Sequence, residues 1–236
     1  MASTFTVDNS IAWAAYFVGN RGLALSPTEP AMTSANIVCQ VMLSPPFKWR
    51  WNRNSKTFAF TSGDTSVSIP DYGFIEKAFV VATTGATANK PFEIPMVQTE
   101  LTMDNGTGRP QTVAPYLDDN AGNITFRFMP GNPDVASNVT AIYQKKAVVL
   151  TATSQAWPIP DEYGYVYNWG FLSLMYLFAD SQKFISANQK FTSGLLSLAE
   201  GLTEQQIAVF LGQWDFIIQN QQRFAKGVAG IQAKSV

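Results

Sequence analysis

Two kinds of residue in this chain could carry chemistry: neighbouring carboxylates, and a run in which basic and aromatic side chains interleave. Asp118-Asp119-Asn120 and Asp161-Glu162 are the carboxylate candidates. Carboxylates can move protons or hold a hard cation unaided, so Asp118 or Glu100 could serve glycan cleavage and Asp118-Asp119 a calcium loop. Adjacent residues on an extended chain point to opposite faces, however, and the loop lacks an ordered series of oxygen ligands. A solvated turn explains Asp118-Asp119-Asn120 more simply. Acids in a first helical turn, favoured by the helix dipole, explain Asp161-Glu162.

The second candidate is Phe47-Lys48-Trp49-Arg50-Trp51-Asn52-Arg53-Asn54-Ser55-Lys56. Aromatic rings could stack on bases while Lys48, Arg50, Arg53 and Lys56 neutralise phosphates. A strand with its aromatic face in the core predicts the same letters. Period two puts Phe47, Trp49 and Trp51 on one face and Lys48 and Arg50 on the other. The basic face would then be free for a phosphate or for a carboxylate of another subunit.

Other chemistries lack their residues. The chain has no histidine, which removes histidine-based triads and the usual zinc sets. Its one cysteine, Cys39, sits in the apolar run Ile37 to Leu43 and reads as a small buried hydrophobe. No glycine-rich phosphate loop occurs. No cofactor, metal or catalytic residue is expected, and no membrane partner. The apolar window Trp169 to Ala179 is too short to span a bilayer.

The elements that must position these residues fall in three stretches. In the first, Asp8 or Ser10 could cap a helix carrying Ile11, Trp13, Ala14, Tyr16, Phe17 and Val18, ended at Gly19-Asn20 or Gly22. A second helix over Ala31 to Leu43 stops at Pro45-Pro46. The middle stretch turns to short β-type runs: Thr57 to Thr61, Ser66 to Ile69, Ile75 to Val81, Phe92 to Thr102, Thr112 to Tyr116, Asn123 to Met129 and Val139 to Leu150. Turn chemistry separates them, and Ala147-Val148-Val149-Leu150 suggests a strand buried on both faces.

The last stretch is helical. Helices are expected over Glu162 to Ala179 and Ser181 to Ala199, with Gly201 as a left-handed cap. Thr203-Glu204-Gln205-Gln206 fits a capping box. The helix it opens carries Ile207, Phe210, Leu211, Trp214, Ile217 and Ile218 as one apolar stripe. Gly164, Gly170, Gly194 and Gly212 lie inside apparent helices. Each costs about 1 kcal/mol relative to Ala, which suggests close approach of helices within the bundle or between subunits. Ile69-Pro70-Asp71 and Ile159-Pro160-Asp161 echo one another as element boundaries.

The fold expected is α+β: a helical bundle formed by the N- and C-terminal segments, with an inserted antiparallel β-sandwich or small barrel. The division expected is 1–46 and 158–226 for the bundle, 47–157 for the β domain and 227–236 for a flexible, basic C-terminal arm. Across 236 residues, 46% are apolar and only 14% charged, with a net charge of −1. So little charge leaves apolar surface for other subunits, and the chain has no global attraction to nucleic acid.

The order of helices, an aromatic-Asn junction (Trp49-Arg50-Trp51-Asn52-Arg53), a strand, Ile69-Pro70-Asp71-Tyr72 and returning helices resembles the head-to-tail adaptor, or tail tubular, proteins of short-tailed bacteriophages. The phrases Ala179 to Phe191 and Glu200 to Gln205 also resemble phage virion proteins. The resemblance implies a non-enzymatic structural protein at the head–tail junction of the virion, assembled in the host cytoplasm. It implies a ring, twelvefold in symmetry by family likeness, beneath the portal protein, joined to a tail nozzle or fibre protein. Genomic DNA would pass through it without sequence-specific binding. Arg223, Lys226, Gly227, Gly230 and Lys234 would form the portal-binding arm, and Lys48, Arg50, Arg53 and Lys56 would make phosphate or inter-subunit contacts.

Two further readings stay open on the sequence. One is a decoration or fibre-anchor protein on capsid or tail. The other is a carbohydrate-binding or glycan-cleaving module using Trp49, Trp51, Trp157, Trp169 and Tyr163 to Tyr167, with Asp118 or Glu100 as acid.

Overall fold

A threonine hydroxyl and an asparagine amide start the first helix. Thr6 Oγ1 accepts from the Asn9 backbone N–H at 3.3 Å, and Asn9 Oδ1 accepts from Thr6 N–H at 2.9 Å. This reciprocal cap replaces the expected Asp8 or Ser10, because Ser10 turns inward instead. The computed structural model describes residues 3–18, 29–85, 88–97, 105–179 and 183–233. The expected end of the first helix at Gly19-Asn20 or Gly22, and Glu100, lie outside them.

Among the described residues there are five α-helices and seven strands. The helices are α1 (Val7–Val18), α2 (Ala31–Leu43), α3 (Gly164–Ala179), α4 (Phe184–Leu198) and α5 (Glu204–Ala233). The strands are β1 (Arg53–Phe60), β2 (Thr65–Ser68), β3 (Tyr72–Ala82), β4 (Pro91–Ile94), β5 (Thr112–Asp118), β6 (Asn123–Met129) and β7 (Ser137–Lys145). The chain divides into two compact units, Met1–Phe47 with Ala147–Val236, and Lys48–Lys146.

In the β unit, one antiparallel sheet runs β1-β7-β3-β4 and the other β2-β6-β5. Alternate residues of both sheets meet in a single core that includes Ile75, Val80, Val113, Phe126, Phe128, Val139 and Ala141. Of the two closures expected, the unit is therefore a sandwich: two sheets face each other across a shared layer. Its edge strand β1 is exposed along most of its length and carries Arg53 and Lys56, charges that discourage edge-to-edge pairing.

In the helical unit, α3 is buried over most of its surface, with Val166, Tyr167, Phe171, Leu172, Leu174 and Met175 nearly inaccessible. A helix apolar on every side must be wrapped by others. α1, α2, α4 and α5 all pack on it. Trp157 stacks on Tyr167 at 4.5 Å between centroids. Its Nε1 donates to Ser10 Oγ, which donates to Asn168 Oδ1, so this buried polar chain is satisfied.

Some expectations on local structure fail. Phe47 to Trp51 is not a strand: Arg50–Asn52 form a 3₁₀ turn and β1 begins only at Arg53. Phe47 and Trp49 are nonetheless buried while Lys48 and Arg50 are exposed. β4 covers only the first part of the Phe92 to Thr102 run, and residues 98–104 lie outside the described ones.

Ala147 to Leu150 is not a strand either. Val148 and Val149 are exposed and only Leu150 is buried. The reason lies far away in the chain: Asn36 pairs with the Leu150 backbone, its Nδ2 donating to the carbonyl at 3.0 Å and its Oδ1 accepting from the N–H at 2.8 Å. A single side-chain amide stands in for a neighbouring strand.

Candidate functional site

The aromatic-Asn junction is a built structure, fastened to β7. Trp49 N–H donates to Gln144 Oε1 at 3.2 Å, and Gln144 Nε2 donates back to the Trp49 carbonyl at 3.0 Å. Asn52 Nδ2 donates to the Lys145 carbonyl at 2.8 Å. Gln144 is fully buried, and its Nε2 also donates to Glu76. Nothing in the local spacing singles out Gln144. Its one signal is an amide in a strand otherwise alternating apolar residues.

The basic residues of this run divide. Arg53 pairs with Glu76 through Nε at 3.2 Å and Nη2 at 2.6 Å. That carboxylate is almost inaccessible, so the Arg53 charge is largely spent inside the subunit. Lys48, Arg50 and Lys56 are exposed, but they do not share a strand: Lys48 precedes the 3₁₀ turn, Arg50 begins it and Lys56 lies on β1. Such a scattered set is weaker for phosphate than four cations on one extended face.

The two Pro-Asp boundaries use their carboxylates alike. Asp71 accepts from Tyr143 Oη at 2.7 Å and Asn54 Nδ2 at 3.2 Å, holding the start of β3 to β1 and β7. Asp161 gathers Thr4 N–H, Thr4 Oγ1, Phe5 N–H and the Ser3 hydroxyl. These donors push its carboxyl down to about 2. The helix-dipole explanation of Asp161 gives way to this one: the residue ties the N-terminal segment to the start of the helix pair.

The remaining carboxylate candidate is the solvated turn. Asp119 accepts from Ala121 and Asn123 N–H at 2.8 and 2.9 Å and from Asn123 Nδ2 at 2.6 Å, which lowers its carboxyl. Asp118 accepts from Asn120 N–H at 2.8 Å. Both are occupied in closing their own loop. Among the described residues no group of histidine, cysteine, aspartate or glutamate could hold a metal ion. Of the proposed sugar platform, Trp157 and Tyr167 are buried and Trp49 is buried at the junction, so these aromatics present no common exposed face.

Among the described residues of the helical unit, two apolar surfaces are exposed. One is a groove of about 900 Å³ between α2 and α5, lined by Ile37, Val41, Val209, Phe216 and Ile217 among others. The other is an aromatic patch in which Trp169 meets Trp13 at 5.4 Å and Phe17 at 6.0 Å, with Lys190 Nζ 3.9 Å above its ring. Tyr16 beside it is 90% exposed. The apolar stripe expected on the last helix splits accordingly: Phe210, Trp214 and Ile218 face inward, while Leu211 is exposed.

Of the expected arm residues, Arg223, Lys226, Gly227 and Gly230 lie within the span of α5, and Lys234 falls outside the described residues. No helix among the described residues is long and apolar enough to cross a membrane. Residues 40–209, well over half of the chain and reaching into both units, match the family model described as SU10 adaptor protein. No curated protein matches the chain.

Proposed function

From the premise that this chain belongs to the SU10 adaptor protein family and is a phage structural component, we propose that it is the head-to-tail adaptor of a short-tailed phage. Copies would form a ring, twelvefold as in the adaptors it resembles, beneath the portal protein at the head–tail junction. A tail nozzle or fibre protein would attach below, and the genome would pass through the middle. No step of this function transforms a molecule.

The observation that carries the reading is the family match over residues 40–209. The composition supports it. With a net charge of −1, the ring as a whole would exert little pull on DNA phosphates, so a duplex could slide. The apolar groove and aromatic patch are surfaces a permanent assembly would cover.

The portal-facing element proposed is the C-terminal segment with Arg223, Lys226, Gly227, Gly230 and Lys234. Lys48, Arg50 and Lys56 are the cations proposed for phosphate or inter-subunit contacts, with Arg53 already paired. The test is deletion of residues 227–236 from the full chain, followed by a portal-binding assay and cryo-electron microscopy of particles. The adaptor reading expects portal binding to be lost and the intact chain to sit at the head–tail junction. Density for the chain elsewhere on the capsid or tail, with attachment surviving the deletion, would identify a decoration or fibre-anchor protein instead.

A further inference from the structure

An asparagine side chain can react with its own backbone. The amide nitrogen of the next residue attacks Cγ, ammonia leaves, and a cyclic imide forms. The attack is fastest where the next residue has no Cβ in the way. Only one asparagine of this chain is followed by glycine: Asn105, before Gly106.

The structure also sets Asn105 apart from other asparagines. Asn132 precedes a proline, which has no N–H to attack with. Asn123 and Asn138 precede branched residues on β6 and β7, and Asn123 Nδ2 is held by Asp119 at 2.6 Å. Asn54 precedes a serine, but it lies in β1 with its Nδ2 donated to Asp71 at 3.2 Å. Asn105 is exposed and lies outside the helices and strands. Its side chain makes no hydrogen bond to another described residue.

What is held at this place is the backbone. Asn132 Nδ2 donates to the Asn105 carbonyl at 2.7 Å, and Asn132 N–H donates to the Gly106 carbonyl at 3.1 Å. Gly108 N–H donates to the Asn132 carbonyl at 2.9 Å, and Ser62 Oγ donates to Asn132 Oδ1. Asn132 thus pins the segment 105–108 to the turn that follows β6. Asn105, Asn132, Asp64 and Arg127 line a cleft of about 130 Å³, roomy enough for water.

We propose that Asn105 is a site of spontaneous deamidation and that its conversion unpins this segment. The Gly106 nitrogen gives up its proton and bonds to Asn105 Cγ, and the Cγ–Nδ2 bond breaks with release of ammonia. Water then opens the imide at one of its two carbonyls. Opening at Cγ restores the main chain and leaves aspartate. Opening at the α-carbonyl leaves isoaspartate, in which the main chain runs through Cβ and Cγ. The carbonyl that took the Asn132 Nδ2 bond becomes a free carboxylate, and the chain gains a methylene. Asn132 then no longer holds both carbonyls in register. Either product adds a negative charge to the cleft lined by Asp64 and Arg127. The inference stands apart from the adaptor reading and survives or fails without it.

The experiment ages the full-length chain at neutral and at mildly alkaline pH, then digests it for mass spectrometry. The expected result is a gain of about one mass unit at Asn105 ahead of every other asparagine. Conversion should be faster at the higher pH, because the attacking nitrogen must lose a proton. Gly106→Ala should slow it, since a Cβ then crowds the approach to Cγ. Conversion first at another asparagine, or at an equal rate in Gly106→Ala, overturns the assignment. So does a folded chain that stays unconverted while the same chain in urea converts.

The unpinning has its own readout. Labelling by an isoaspartyl methyltransferase gives the isoaspartate share of the aged protein. Hydrogen exchange at the Asn132 and Gly108 amides should lose protection in proportion to that share. Protection that survives full conversion would refute the unpinning.

Discussion

The side chain of Gln144 is the backbone partner of Trp49. Its Oε1 accepts from the Trp49 N–H at 3.2 Å and its Nε2 donates to the Trp49 carbonyl at 3.0 Å. The pair resembles one rung of a sheet with an amide side chain in place of a neighbouring backbone. It satisfies the Trp49 backbone N–H and carbonyl where the chain enters the 3₁₀ turn Arg50–Asn52 ahead of β1.

Replacing that amide should therefore be costly. Gln144→Leu keeps the volume but removes a donor and an acceptor from a fully buried site. Trp49 and Glu76 lose their hydrogen bonds to it, and a loss of about 3 kcal/mol is expected. Urea unfolding followed by tryptophan fluorescence measures it. A loss within experimental error of zero would mean that water reaches these groups.

Trp214→Ala tests which way the last helix faces. Trp214 is 1% exposed, packs on Phe191 at 4.9 Å and donates from Nε1 to Asn188 Oδ1 at 2.6 Å. Its truncation should destabilise the isolated subunit by about 3–5 kcal/mol, read from denaturant midpoints. A cost below about 1 kcal/mol would contradict its role as core.

Gly170→Ala should behave opposite to an alanine at an open helical position. The added methyl gains helix propensity but presses on Phe191 and Val38 in a filled interior. Overpacking of about 1–3 kcal/mol should exceed the gain of about 1 kcal/mol and lower the melting temperature. A raised melting temperature would show that the Phe191 ring yields freely.

Asp161 should give the fold part of its acid sensitivity. Its carboxyl is held at about 2, below the ordinary aspartate value, by the hydroxyls and amides of Ser3, Thr4 and Phe5. The sign follows: the folded state binds this proton less readily than the unfolded chain. The stabilisation is therefore complete above about pH 4 and disappears as the pH falls toward 2. Thermal melts of Asp161→Asn against the parent should differ most above pH 4 and converge near pH 2. A difference that does not change with pH would assign the effect to lost packing.

Much of the architecture was legible in letters. The bounds of α2 follow from an apolar run halted by Pro45-Pro46, and β6 coincides with the run Asn123 to Met129. The capping box at Thr203 and Gln206 is formed, with Gln206 Oε1 accepting from Thr203 N–H at 3.0 Å. These features are local, so period, caps and breakers suffice to set them.

What failed to show were partners far apart in the chain. Asn36 holds Leu150, Gln144 holds Trp49, and Asp161 holds Ser3 to Phe5. The letters around Ala147 to Leu150 read as a strand because local propensity cannot tell that the only partner will be one amide.

The letters alone imply that helices flank a β region, that histidine chemistry has no residue to carry it, and that apolar surface exceeds what a small charged shell can hide. Which helical glycines are needed inside follows from packing instead. Gly170 and Gly194 are pressed by neighbouring helices, whereas Gly212 opens onto the groove. Composition and period are properties of the chain alone, but close approach depends on where a second helix comes to rest.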